Sequence, residues 1–287
     1  MRLFIIPTEP LLFRSTGRSF TAGESGYADT LFPPTPETMQ GAIRAAIATH
    51  WDRTLTLAEV FEQKELLDLI GSRNRYGRFR ITSISVGRRK EDRTIERLFQ
   101  APAFLQKDEV KKIVRLEPKR LDDVRSNMPG EMQYLWHDEK VTGKLKPLGW
   151  LSERNLLKVL RGEHLTIDDT IDEDDIRIFE PRLGIGMNNQ TKSTEEGLLY
   201  QTRMVRMNHT IESDYTYGFV GDVRLAQSSE GATADQFIDD SQTRKLLRLP
   251  EEGGWITLGG ERRAARFEVV DLPKSGETNS LEQAKQG

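Results

Sequence analysis

The chain contains no cysteine and only four histidines in 287 residues. Without thiols it can form no disulfide, no thiolate nucleophile and no cysteine-ligated zinc or iron–sulfur site. His50, His137, His164 and His209 stand too far apart for an HExxH pair, so a histidine metal site would need partners gathered from across the fold. No metal or cofactor is expected. Long apolar runs are missing too. No window nears the roughly 18 residues of a membrane span, and the opening MRLFIIPTEP is broken by Pro7 and lacks a small-residue cleavage site. The expectation is a cytoplasmic protein with no membrane attachment.

What is present is charge. Charged residues make up 30% of the chain, with 42 basic and 45 acidic side chains and a net charge of -3. That balance argues against a uniformly basic nucleic-acid coat, but it averages over unlike segments. Residues 73 to 97 hold nine Arg or Lys against three acids, whereas residues 163 to 180 hold eight acids and one Arg. The basic window could follow a phosphate backbone, with Tyr76 and Phe79 between its arginines. The acidic stretch would be repelled by one and suits solvent or a protein partner. Arginine outnumbers lysine 28 to 14, which favours planar, bidentate phosphate recognition.

Hydrophobic periodicity and punctuation predict an α+β chain. Strands are expected at Arg2 to Pro7, around Phe79, Ile81, Ile84 and Val86, and at Val110 to Leu116. Later ones fall at 176–179, 183–187, 198–207, 215–220, 255–258 and 266–270. Thr35 followed by Pro36 sets an N-cap and first helical position for a helix from Pro36 to His50. Thr56 and Glu59 form a capping box for a second helix ending at Gly71. Ser152 caps a third, ending at Gly162, and 234–247 is a fourth. Two domains are expected, 1–162 and 176–272, joined by the acidic stretch, with a disordered tail at 273–287.

Four motifs bear on chemistry. Gly186 to Ser193 nearly spells a phosphate-binding P-loop, but Thr191 stands where the second glycine must be and no helix pattern follows, so it reads as a polar hairpin tip. Gly259 and Gly260 with Arg262 and Arg263 make a glycine turn at which a ligand could approach the backbone, or a plain hairpin turn with solvated arginines. His50, at a helix C-terminus, could serve as general base on an RNA 2′-hydroxyl or simply complement the helix dipole. The strand 198–207 alternates Tyr200 and Arg206 with Arg203 on the opposite face, suited to stacking and phosphate contact or to a mixed sheet edge.

Taken in order, Glu9 to Arg14, Phe32 to Pro36 running into Gly41 to Ala46, Arg182 to Tyr200, and Leu258 to Arg263 resemble the third-subunit family of the Cmr complex. These are RAMP-superfamily proteins of type III-B CRISPR systems. Residues 90–150 carry little of the resemblance. The resemblance implies two ferredoxin-like domains and a non-catalytic subunit that grips the 5′ handle of the guide RNA (crRNA), beside the large polymerase-like subunit and the backbone subunit. Target RNA would be met only indirectly. RNA contacts are then expected from Arg14, Arg18, Arg44, Arg182, Lys192, Tyr200, Arg203, Gly259, Gly260, Arg262 and Arg263. The rival readings are a metal-independent endoribonuclease processing precursor guide RNA with His50 as base, and an adaptor that binds protein alone.

Overall fold

The computed structural model describes residues 1–14, 27–72, 74–120, 132–187, 194–208, 214–228 and 236–270. The tail expected at 273–287 lies outside them. The described chain mixes helices with a large antiparallel sheet, as the α+β reading requires.

Contacts divide the chain into two compact units, and not along the expected 1–162 and 176–272. The first unit is discontinuous, Met1–Ile95 with Arg177–Lys274; the second is Glu96–Ile176 with Ser275–Gly287. One unit border does fall within the acidic stretch, between Ile176 and Arg177, but the other is at Ile95. The cause is strand pairing between the two ends of the chain.

The first unit contains β1 (Arg2–Pro7), α1 (Pro36–Trp51), α2 (Lys64–Ile70), β2 (Phe79–Lys90), β3 (Arg177–Met187), β4 (Thr194–Met207), β5 (Tyr215–Leu225), α3 (Asp240–Leu247), β6 (Gly254–Leu258) and β7 (Arg263–Val270). Its main sheet runs β2-β5-β1-β7-β6, each neighbouring pair antiparallel. β1 is therefore central: Phe4 stands opposite Val220 on one side and Glu268 on the other. Leu3, Phe4 and Ile5 are at most 1% exposed. Arg2 places its guanidinium on Asp222, with Nε and Nη2 donating at 2.7 and 2.9 Å, which pairs the charges of two nearly buried groups.

Capping signals are honoured where they are local. The Thr35 hydroxyl accepts the Thr38 amide, and Pro36 opens α1, whose Met39, Ile43 and Ile47 are buried. The Thr56 and Glu59 capping box forms in both directions, but the helix it starts ends after one turn at Val60, and Lys64–Ile70 follows as a separate helix. α3 starts at Asp240, later than the expected 234, because the Asp239 carboxylate caps it by accepting the Gln242 amide. The pieces expected at 176–179 and 183–187 form one strand, β3, that passes through Pro181. The proline is tolerated because β3 pairs on one side only, with β4.

In the second unit, Trp150–Ser152 pairs with Leu98–Gln100 and with Thr170–Ile171. Ser152 caps the helix Glu153–Leu160 as expected, and Leu105, Leu148, Leu151 and Val159 form the core. The strand expected at Val110 to Leu116 shrinks to Ile113–Arg115, because Asp108 turns the chain. Its carboxylate accepts the amides of Val110, Lys112 and Thr142, and these bonds, Thr142 foremost, hold its pKa below the usual carboxylate value. Two acids of the acidic stretch are likewise paired within this unit. Asp169 takes the Thr166 amide and the Lys158 ammonium, and Asp172 pairs with Lys107.

Candidate nucleic-acid interface

The hairpin β3–β4 and the segment 8–14 build the site together. Leu11 exchanges backbone hydrogen bonds with Val205 at 2.7 and 2.9 Å, and Arg14 bridges to Thr30, whose hydroxyl donates to the Arg203 carbonyl. Tyr27–Ala28 adds to β4 as a parallel strand. On its other flank the same segment meets the glycine turn: the Gly260 amide donates to the Leu12 carbonyl at 2.8 Å. Two of the four blocks that carry the resemblance, Glu9 to Arg14 and Leu258 to Arg263, thus meet at Leu12.

The hairpin holds a stack of cations. The Arg177 and Arg203 guanidiniums lie 3.9 and 3.4 Å from the centroid of the Phe179 ring. Arg177 and Phe179 alternate on β3, and Arg203 stands opposite Pro181, so period-two geometry places all three on one face. The ring's negative face attracts the guanidiniums and fixes their planes; Arg177 is buried, so Arg203 is the one of the two whose edge can donate to phosphate. Arg203 also approaches Asp29 at 3.8 Å, and its side chain is 39% exposed. On the opposite face, Glu180 accepts from both Arg206 and Arg182, which, Arg206 foremost, hold its pKa below the usual carboxylate range. One carboxylate between two half-exposed guanidiniums leaves that patch net positive.

The expected RNA-binding residues divide accordingly. Arg14, Arg182 and Arg203 are brought to the segment 8–14 and hairpin region. Arg44 is elsewhere, with Nη2 donating at 3.3 Å to the Gly71 carbonyl that ends α2. Arg262 is exposed on the glycine turn with φ of 51°, while Arg263 is tied back to Glu261. Tyr200 pairs through its backbone with Gly184; its side chain, together with Arg18 and Lys192, lies outside the described residues.

The glycines of the turn are explained within the chain. Gly259 has φ of +73°, and a Cβ there would sit 2.7 Å from the Leu12 carbonyl and 3.1 Å from the Phe13 ring. Between this turn and α1 runs an open groove of about 610 Å³, lined by Arg14 and by Glu37 and Glu261, acids that charge counting by window passed over. The Phe179 stack was also missed, although an Arg-x-Phe alternation was its signal. The P-loop-like stretch is flanked by two antiparallel strands, Met187 opposite Thr194, and not by the helix a P-loop needs. Its residues 188–193 lie outside the described set. His50 is packed: its Nδ1 lies 2.8 Å from the Ala46 carbonyl, and its ring meets the Phe267 ring edge-on at 5.7 Å.

No described helix is long and apolar enough to cross a membrane, and no metal-holding cluster occurs among the described residues. No curated protein matches the sequence. Among solved structures, the chain is similar to one in "Cryo-EM structure of the Type III-B Cmr-beta bound to cognate target RNA and AMPPnP, state 1", at 17% identity and TM-score 0.46, covering 95% of this chain and 64% of that one. A chain in the same assembly bound to cognate target RNA alone matches at 16% identity and TM-score 0.44, covering 95% and 65%. One in its apo state matches at 10% and 0.41, covering 94% and 96%. The chain thus spans just under two thirds of the first two chains it matches. The family model described as "CRISPR-associated protein (Cas_Cmr3)" matches residues 3–286, and the chain belongs to that family.

Proposed function

We propose that this chain is a non-catalytic, cytoplasmic scaffold subunit of a type III-B Cmr effector complex, holding the 5′ handle of the guide RNA. In that role it bridges the large polymerase-like subunit to the backbone subunit. The observation that carries the reading is the convergence of Arg14, Arg182, Arg203 and the stacked Arg177 and Phe179 on one hairpin and its partner segment. An extended RNA strand needs spaced phosphate donors and flat surfaces for splayed bases; the hairpin and its partner segment supply donors, with Arg203 and Phe179 on one face of the hairpin and Arg182 on the other. The first unit supports a ferredoxin-like origin: a β-α-β half (β1, α1, β2) and a second half (β5, α3, β7) interleave in the antiparallel order β7-β1-β5-β2. On this reading the strands beyond 214 complete that domain, and residues 91–214 are inserted between its halves. The packed setting of His50, bonded to Ala46 and against Phe267, supports a structural role for it.

The test is binding of full-length protein to handle RNA across a salt series. Removing Arg203 by Arg203→Ala should weaken binding and reduce the magnitude of the log K against log[salt] slope by about 1, the signature of one lost phosphate contact. An unchanged slope removes this face from the RNA path. Incubation with repeat RNA in EDTA should give no cleavage; cleavage abolished by His50→Ala would establish the nuclease reading instead.

A further inference from the structure

β6 (Gly254–Leu258) is the last strand of the main sheet, with no strand on its outer edge among the described residues. Sheet edges are ordinarily blunted by proline, lysine, a bulge or a covering element; the sequence GWITL has no proline or charge, and its register with β7 is regular. Trp255 is 63% exposed and stands opposite exposed Arg266. Ile256 and Leu258, on the alternate face, are buried.

Beside this edge lies the groove that α1 forms with the turn. Gly41, Ala42 and Ala45 give α1 a low wall there. Gly41 lies inside the helix, where glycine is the least favourable residue apart from proline, yet a Cβ at Gly41 would meet nothing within 4 Å. No neighbour among the described residues requires it. The groove's charged lining is Glu37 and Glu261 against Arg14, so it does not favour phosphate. The Gly260 amide, which might have cradled an anion, is already donated to Leu12.

We infer that β6 and this groove accept an extended segment of another protein subunit by strand addition. Backbone hydrogen bonds to the β6 edge would supply affinity, and alternate side chains specificity. One apolar side chain seats over Gly41 and Ala45, and a basic one reaches Glu37 and Glu261. A second copy of β6 does not fit, since it carries no positive charge. The inference rests on the chain working in a multisubunit complex, and not on RNA contact at the hairpin.

Hydrogen exchange on the isolated full chain and on the complex co-expressed with its other subunits tests this. The outward amides of Gly254–Leu258 should exchange freely in the isolated chain and slow at least tenfold in the complex, before and after ribonuclease treatment. Gly41→Leu, which fills the groove, should leave the isolated chain folded and reduce recovery of one protein subunit at least tenfold. Protection already present in the isolated chain, protection that appears as the isolated chain is concentrated, or protection lost with ribonuclease would each overturn the inference. So would full assembly of Gly41→Leu, or no protection in the complex. If Arg203→Ala leaves RNA binding intact while the edge is protected, the RNA reading fails and this one stands.

Discussion

If β1 belongs in the middle of the sheet, the fragment 176–272 cannot fold alone. It would keep β5, β6 and β7 but lose the strand between β5 and β7, on which both are paired. Leu3, Phe4 and Ile5 are at most 1% exposed, and fully burying such side chains contributes roughly 1.5–3 kcal/mol each, so their loss removes about 5–9 kcal/mol. The fragment also leaves Asp222 without Arg2, and breaking a buried pair costs on the order of 3–5 kcal/mol. Together, at about 8–14 kcal/mol, these are comparable with the whole stability of a typical domain, about 5–15 kcal/mol. The assay is urea unfolding followed by circular dichroism, with amide dispersion by NMR. The fragment 176–272 should show no cooperative transition, and co-expression with residues 1–95 should restore one. A cooperative transition and dispersed spectrum from 176–272 alone would refute the central placement of β1.

Gly259→Ala should destabilise by about 1–3 kcal/mol in urea unfolding, since it adds strain at positive φ to a 2.7 Å approach to the Leu12 carbonyl. Gly260→Ala, whose Cβ would stand 3.4 Å from the same oxygen, should stay within about 0.5 kcal/mol; equal effects would contradict the packing account of the turn. Phe179→Leu keeps bulk but loses both cation–ring contacts, and should cost about 1–2 kcal/mol and weaken handle-RNA binding; binding that is unchanged would detach the stack from function. Asp108 gives a pH signature. Its folded pKa is depressed by the amides it accepts, so its stabilisation is fully present above the ordinary aspartate value of about 3.9 and is lost as pH falls through the lower folded value. Hydrogen exchange in the 108–112 turn should therefore accelerate, relative to intrinsic rates, at the acid end in wild type. Asp108→Asn should weaken the turn at neutral pH and flatten that acid limb; an identical limb would place the titration elsewhere.

The features legible in the sequence are those whose physics is complete within a few residues. Thr35 and Pro36, Thr56 and Glu59, and Ser152 each announce a helix start because a side-chain oxygen and an amide three positions on suffice to make the bond. Strand existence was legible in the first unit but hardly in the second, where Ile95–Gln100 and Trp150–Ser152 were not expected, and strand partners were legible in neither. Nothing in Arg2 to Pro7 says that its neighbours are residues 219–222 and 265–270, which is why the two units were expected to follow one another along the chain, whereas strands from before and after the acidic stretch share one sheet. The same limit governed the site. Arginine composition pointed to recognition surfaces, yet it could not tell Arg203, held on Phe179, from Arg44, spent on the Gly71 carbonyl, or Arg263, tied to Glu261. Gly259 shows the limit most sharply. The sequence marked a place where a backbone can come close, and one does, but it is the chain's own, at Leu12. A glycine pair thus identifies close approach without naming what approaches. Gly41 is the converse case, for in an exposed helix interior with open space above it the close approach is left for another molecule to make.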